Sequence, residues 1–243
     1  MRYAILGDIH SNLAAFQAVL EDAEKRGGFD KILCLGDIVG YGPDPHECIE
    51  LLQQYDHVCV AGNHDWAAAE KIDTLEFNPD AASANHWTTQ NLTDDDKEYL
   101  GNLPLSLEEG DITLVHGSLR SPIWEYLLSV TAARDNFALL QTRYCLTGHS
   151  HIPQIFEYID CSVFSQDFSD TTSLVLSENS LIINPGSVGQ PRDSDPRASY
   201  ALYDDEIKTI YHYRTDYDIA ATQEKMLKEG LPERLITRLN FGW

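Results

Sequence analysis

Apolar residues come in short runs along the first 65 positions, and each run stops at a glycine followed by a polar residue. Tyr3-Ala4-Ile5-Leu6 gives way to Gly7-Asp8-Ile9-His10. Apolar runs this short, bounded by turn signals, predict buried strands. Arg2 to Leu6 is the first. Leu13, Phe16, Ala18, Val19 and Leu20 then give a helix an apolar face, with Ser11 or Asn12 as its cap and Gly27-Gly28 as its stop. Lys31 to Leu35 is a second strand, ending at Gly36-Asp37. A helix runs through Cys48, Ile49, Leu51 and Leu52, and His57 to Ala61 is a third strand, ending at Gly62-Asn63-His64-Asp65. Strand and helix alternate, so these strands are expected to lie parallel with right-handed crossovers.

The middle of the chain reads differently. Trp66 to Leu103 is expected to be mostly helical, and Ser121 to Gln141 to be loop and helix. Strands are expected at Asp111 to Val115, ending in His116-Gly117, and at Tyr144 to Thr147, ending in Gly148-His149-Ser150-His151. Beyond Pro153 the period becomes two. Strands are predicted at Ile155 to Ile159, Ser173 to Leu176, Leu181 to Asn184, Ser199 to Tyr203 and Ile207 to Tyr213, before a last helical stretch with Ile219, Met226 and Leu227. The pattern predicts two sheets packed face to face with helices outside. No linker is visible. Residues 1–243 therefore read as one domain, with cap-like insertions at about 66–103 and 118–141.

Charge narrows the function. The chain has 39 acidic and 17 basic residues, a formal net charge of −22. Such a balance argues against stable nucleic-acid binding, which rests on Lys and Arg neutralising phosphates. An acidic protein that handles phosphorylated compounds needs local positive charge, which bound metal ions supply. The five cysteines form no C-x-x-C pair, and buried reduced thiols in a cytoplasmic protein are the expectation. Asp8 breaks the N-terminal apolar run, so no signal peptide is expected, and no apolar stretch is long enough for a membrane span.

The polar residues at five strand ends carry the chemistry: Asp8/His10, Asp37, Asn63/His64, His116 and His149/His151. Asp8 and His10 are two positions apart, and in extended backbone that spacing points both side chains one way. Ligands of α/β sheets gather at strand ends. The set mixes imidazole, carboxylate and amide without cysteine. That composition excludes a thiolate zinc site and exceeds the needs of one ion. Two cations clamping a phosphoryl group fit it. His46, His57, His86 and His212 lack such surroundings and read as surface or boundary residues.

In this order, Asp8-x-His10, Gly36-Asp37, Gly62-Asn63-His64-Asp65, His116 and Gly148-His149-Ser150-His151 resemble the calcineurin-like metallophosphoesterase superfamily. Asn184-Pro185-Gly186-Ser187-Val188-Gly189 resembles a further element of that family. The resemblance implies an αββα four-layer sandwich of two mixed sheets. It implies that Asp8, His10 and His151 bind one divalent metal, that Asn63, His116 and His149 bind another, and that Asp37 bridges them. His64 matches the family's catalytic histidine. The implied reaction is in-line attack on phosphorus by a hydroxide between the two metals, with His64 assisting the leaving group. Mn²⁺ is the metal the resemblance suggests, while the ligand set also admits Fe, Zn, Co or Ni.

The chain also departs from the family's protein phosphatases. Their Asp-Arg pair after the second motif reads Gly40-Tyr41 here, and their arginine before Gly-Asn-His reads Ala61. That favours a phosphodiesterase or dinucleoside-polyphosphate hydrolase of the bacterial branch over a protein or small-molecule phosphomonoesterase. A non-catalytic scaffold of the same fold is the remaining alternative. Replacement cations are Arg120, Arg192 or Arg197. Arg192 lies just beyond a glycine-rich turn whose N–H groups are also candidates for phosphate. Asn63, Arg192 and Tyr41 are the candidate substrate-binding residues. Tyr41, Trp124 and Tyr126 either pack or stack on a base, and packing is the expectation for each.

Overall fold

The computed structural model describes residues 1–169 and 172–243. β1 (Arg2–Leu6), α1 (Leu13–Lys25), β2 (Lys31–Cys34), α2 (Pro45–Gln53) and β3 (His57–Cys59) come in sequence, and the three strands are parallel neighbours. Asn12 caps α1 by accepting the Ala15 N–H at 3.2 Å. Phe16, Val19, Leu20 and Ala23 then fall on one buried face of that helix.

The expected helical insertion is α3 (Asn63–Ala68), α4 (Pro79–Asn91) and α5 (Asp94–Asn102). Thr93 starts α5 with a reciprocal pair: its Oγ1 accepts the Asp96 N–H, and the Asp96 carboxylate accepts the Thr93 N–H. β4 (Ser106–Glu109) and β5 (Ile112–Val115) form an antiparallel pair, α6 (Val130–Phe137) lies inside the second insertion, and β6 (Tyr144–Leu146) comes after it. The remaining strands are β7 (Gln154–Ile159), β8 (Ser162–Asp167), β9 (Ser173–Val175), β10 (Ser180–Asn184), β11 (Ala198–Asp204) and β12 (Thr209–Thr215). α7 (Ile219–Lys228) and α8 (Glu233–Arg238) close the chain.

Two six-stranded mixed sheets result, in the orders β3-β2-β1-β11-β12-β9 and β4-β5-β6-β10-β7-β8. Strand alternation sorts the side chains into layers. Ala4 and Leu6 face α1 and pack with Phe16 and Val19. Ile5, Leu33 and Leu35 face the other sheet and meet Leu114, Leu146 and Ile183. On the far side of the second sheet, Val115, Cys145, Phe156 and Ile182 pack against Ala133 of α6. The αββα sandwich is therefore present, with helical insertions.

Three expectations need correction. Strands β4 and β8 were absent from the pattern, because Ser106–Glu109 holds a single apolar residue and Ser162–Asp167 is largely exposed. Ile207 belongs to a turn and is 56% exposed, so β12 starts at Thr209. His212 is not a surface residue: it is fully buried beside Phe168, and its Nε2 lies 2.8 Å from Ser199 Oγ.

Candidate active site

β1, β2, β3, β5 and β6 all end on one rim of the sandwich, and the polar strand ends converge there. One ligand atom each from Asp8, His10, Asp37 and His151 forms a group within 4.8 Å, and Asp37, His116 and His149 form a second. Asp37 belongs to both. Every one of these side chains is buried.

The backbone reaches this convergence differently from the expectation for Asp8 and His10. Neither residue is extended: their φ angles are +55° and +51°. Asp37, His149 and His151 are left-handed too, at +52°, +65° and +59°. Left-handed backbone is unfavourable for a side-chain-bearing residue, so the surrounding hydrogen bonds must hold it. The Asp8 N–H donates to Gly36 O at 3.0 Å and the His10 N–H to Asp37 O at 2.9 Å. Gly62 is fixed by crowding, since a Cβ there would lie 1.9 Å from Asp37 Oδ1.

Carbonyl contacts set the imidazole tautomers. His10 Nδ1 lies 3.1 Å from Val39 O, His151 Nδ1 2.6 Å from Gln190 O, and His116 Nδ1 2.7 Å from Leu35 O. A carbonyl only accepts, so each Nδ1 carries the hydrogen. Burial holds His10 and His151 well below the usual imidazole range, so both rings are neutral. Their Nε2 lone pairs then face each other at 3.1 Å with no proton between them. Two nitrogens each about 2.1 Å from one ion, at right angles, stand about 3.0 Å apart. Asn63 Oδ1 and His149 Nε2 are also buried without a partner among the described residues. These donors fit divalent cations of the first transition row.

Burial, opposed by His116 and aided by Asp37, raises Asp8 to about 7. Asp37 is also desolvated, but His116 first and then His64 hold it below the usual carboxylate range. His116 is lowered by burial and more than restored by Asp37, to about 9; its Nε2 is 3.2 Å from Asp37 Oδ2. Burial brings His149 down to about 3 and His64 to about 4.

Other residues hold the cluster in place, and the sequence did not single out all of them. Asp65 is buried, and its carboxylate accepts the N–H groups of Asp37 at 2.8 Å, Val39 at 3.2 Å and Gly62 at 3.0 Å. It ties the end of β2 to the start of α3. Asn184 Nδ2 donates to Gly148 O at 2.7 Å, and Ser187 Oγ to Asp8 O at 2.8 Å. The glycine-rich turn commits the N–H groups of Gly186, Val188 and Gly189 inside the fold. Val188 N–H goes to Gly7 O and Gly189 N–H to Asp8 O, so the turn clamps the first motif.

A cavity of about 500 Å³ opens above the cluster. Asp37, Asn63, His64 and His149 line its floor, and Phe77, Trp124 and Tyr126 from the insertions form its wall. Tyr126 stacks on His149 with centroids 4.0 Å apart and planes 14° apart. It is 47% exposed, and Trp124, edge-on to Phe77 with centroids 5.9 Å apart, is 36% exposed, so both pack and both keep surface open to the cavity. Tyr41 packs more fully, 6% exposed between His10 and His64. Of the three candidate arginines only Arg192 lines this cavity. It donates to Gln190 Oε1 at 2.9 Å and Tyr41 Oη at 3.4 Å, and meets no carboxylate among the described residues. Arg120 is committed to Glu125 and Asp135, and Arg197 to Asp195.

Residues 1–207 match the calcineurin-like phosphoesterase superfamily domain. The chain belongs to that superfamily. A metallophosphoesterase from Sphaerobacter thermophilus is 44% identical, with full coverage of this chain, 99% of that one and a TM-score of 0.91. An uncharacterized protein of Methanocaldococcus jannaschii is 38% identical across 98% of this chain and 97% of its own. A symmetrical bis(5'-nucleosyl)-tetraphosphatase of Haemophilus ducreyi is 25% identical over 57% of this chain and 52% of its own. The Asp that the superfamily's protein phosphatases carry after the second motif is absent here. Gly40 occupies the place: a Cβ on it would lie 2.5 Å from His64 Nδ1, and its φ is +92°. That nitrogen is buried without a partner among the described residues. Packing therefore orients His64, between Tyr41 at 4.3 Å, Phe77 at 4.6 Å and His10 at 5.0 Å.

Proposed function

We propose that this chain is a two-metal phosphoesterase that hydrolyses phosphodiester or nucleotide phosphoanhydride bonds. The observation that carries the reading is Asp37, shared by both ligand groups on the floor of the cavity. Asp8, His10 and His151 would hold one cation and Asn63, His116 and His149 the other, with Asp37 within reach of both. Mn²⁺ is the proposed metal. When bound, the two ions supply charge to the phosphoryl oxygens and acidify a water for in-line attack.

The protein's own groups do the rest. Asn63 and Arg192 orient the phosphoryl oxygens. His64 Nδ1 is buried against Gly40, which leaves Nε2 to donate to the leaving oxygen. Trp124 and Tyr126 offer aromatic faces to a planar leaving group. The likeness to a symmetrical tetraphosphatase supports a nucleotide substrate. Residues 1–243 act as one domain, with the insertions as a roof over the site. A cytoplasmic location accords with Cys34, Cys48, Cys59 and Cys145, all buried free thiols. Among the described residues no helix is long and apolar enough to cross a membrane.

The test is a substrate panel with Mn²⁺: bis-nitrophenyl phosphate, nitrophenyl phosphate, cyclic nucleotides, diadenosine tetraphosphate and a phosphopeptide. Turnover of the diester or the tetraphosphate supports the proposal. Turnover of the phosphopeptide alone overturns it.

A further inference from the structure

A second concavity, of about 900 Å³, adjoins the first at Asn78, which lines both. Its wall is built from α8 and the residues after that helix: Arg234, Arg238 and Trp243. Two arginines thus share the groove with two carboxylates, Asp80 and Glu233. Among the described residues neither arginine forms an ion pair, although Asp80 and Glu233 line the same groove. Arg238 is half-buried, and its Nε donates to the Trp243 carbonyl, which leaves the terminal nitrogens of its guanidinium uncommitted. Trp243 is 61% exposed and stacked on Phe241, with centroids 4.6 Å apart.

Arg192 lines the first cavity, and Arg234 and Arg238 line the second. Burial lowers Arg238 to about 10, with Arg192 and Arg234 pushing the same way and Tyr41 and Tyr126 opposing. Asp80 and Glu233 pair with neither arginine among the described residues, so both guanidinium groups remain available to an anionic ligand. Guanidinium forks match phosphate oxygens in geometry and charge, and an exposed indole face suits a purine.

We propose that this groove is a second anion subsite, in which Arg234 and Arg238 take a distal phosphate of an elongated substrate whose scissile phosphate lies over Asp37. Trp243 then meets a planar base at the far end. The inference rests on the phosphoesterase reading of the neighbouring site, and it deepens that reading. The substrate class becomes a compound with at least two separated phosphates and a base, as in a dinucleoside polyphosphate. A compact diester fills only the first cavity.

The test compares diadenosine tetraphosphate with bis-nitrophenyl phosphate, both with Mn²⁺, on wild type, Arg234→Ala, the Arg234→Ala/Arg238→Ala pair and the doubly Lys-substituted protein. We expect the ratio of kcat/KM, long over compact, to fall roughly 10- to 100-fold in the Ala pair. The loss should reside in KM, with partial recovery in the Lys protein. An unchanged ratio overturns the subsite, and so does an equal loss on both substrates, which means structural support of the chamber. The exposed Arg234→Ala alone keeps the test valid should the pair misfold. Should wild type hydrolyse neither compound, the phosphoesterase reading fails. Equilibrium binding of diadenosine tetraphosphate to wild type and variants then decides the subsite by itself: weaker binding in the Ala pair supports it, and equal binding overturns it.

Discussion

The floor and the roof of the cavity are built on opposite terms. On the floor, Asp8, Asp37, His10, His116 and His151 are each at most 2% exposed, and their backbone or ring nitrogens are committed to fixed partners. On the roof, Trp124 and Tyr126 come from a loop and keep exposed surface. Rigid, over-determined floors suit chemistry that every substrate shares. Loosely held roofs suit recognition, which differs between substrates. Changes below should therefore act on turnover of all substrates, and changes above on the choice among them.

The strongest test of that division is Asp37→Asn. It should lower activity on every substrate by about a thousandfold or more, and metal analysis should show both ions weakened together. Mn²⁺ should also stop raising the melting temperature, because the ion would no longer favour the folded state. Loss of only one ion would show that the two groups are independent. Gly40→Ala comes next. Its φ of +92° and the collision with His64 should displace the ring, reducing kcat by roughly 100- to 1,000-fold while metal content stays normal. Asp65→Asn turns one acceptor into a donor facing backbone N–H groups. Metal affinity should weaken about 10- to 100-fold, read by competition with a chelator, without direct contact to any ion. The smallest effect belongs to the roof. Trp124→Ala should raise KM for aryl or nucleoside esters about three- to tenfold and leave kcat near its original value. A comparable fall in kcat would abolish the distinction between floor and roof.

Much of the floor was legible in the sequence because its chemistry is local: an acid or imidazole immediately after an apolar run announces itself. The reason for the convergence was not legible. Asp8 and His10 meet through left-handed backbone, which their side-chain types do not advertise. Asp65 sat in plain view inside Gly62-Asn63-His64-Asp65, but its burial and two of its three N–H partners depend on a loop 26 to 28 residues earlier. The roof was harder still. A lone aromatic in a loop reads alike whether it ends up buried between two rings, as Tyr41 does, or partly exposed over a cavity, as Trp124 and Tyr126 do. In the fold, the central strands were visible through their apolar runs. β4 escaped because pairing with β5 makes it a strand, and Leu107 is its only apolar residue.

Five of the six side chains in the two ligand groups, all but His116, sit on backbone with φ between +51° and +65°. Each such residue carries roughly 1–3 kcal/mol of conformational penalty that the scaffold must absorb. A peptide copied from the Gly7–His10 or Gly148–His151 segment would relax to ordinary backbone and scatter its donors. Grafting this centre into another protein therefore means transplanting the clamps, Asp65, Asn184 and Ser187, before the ligands themselves.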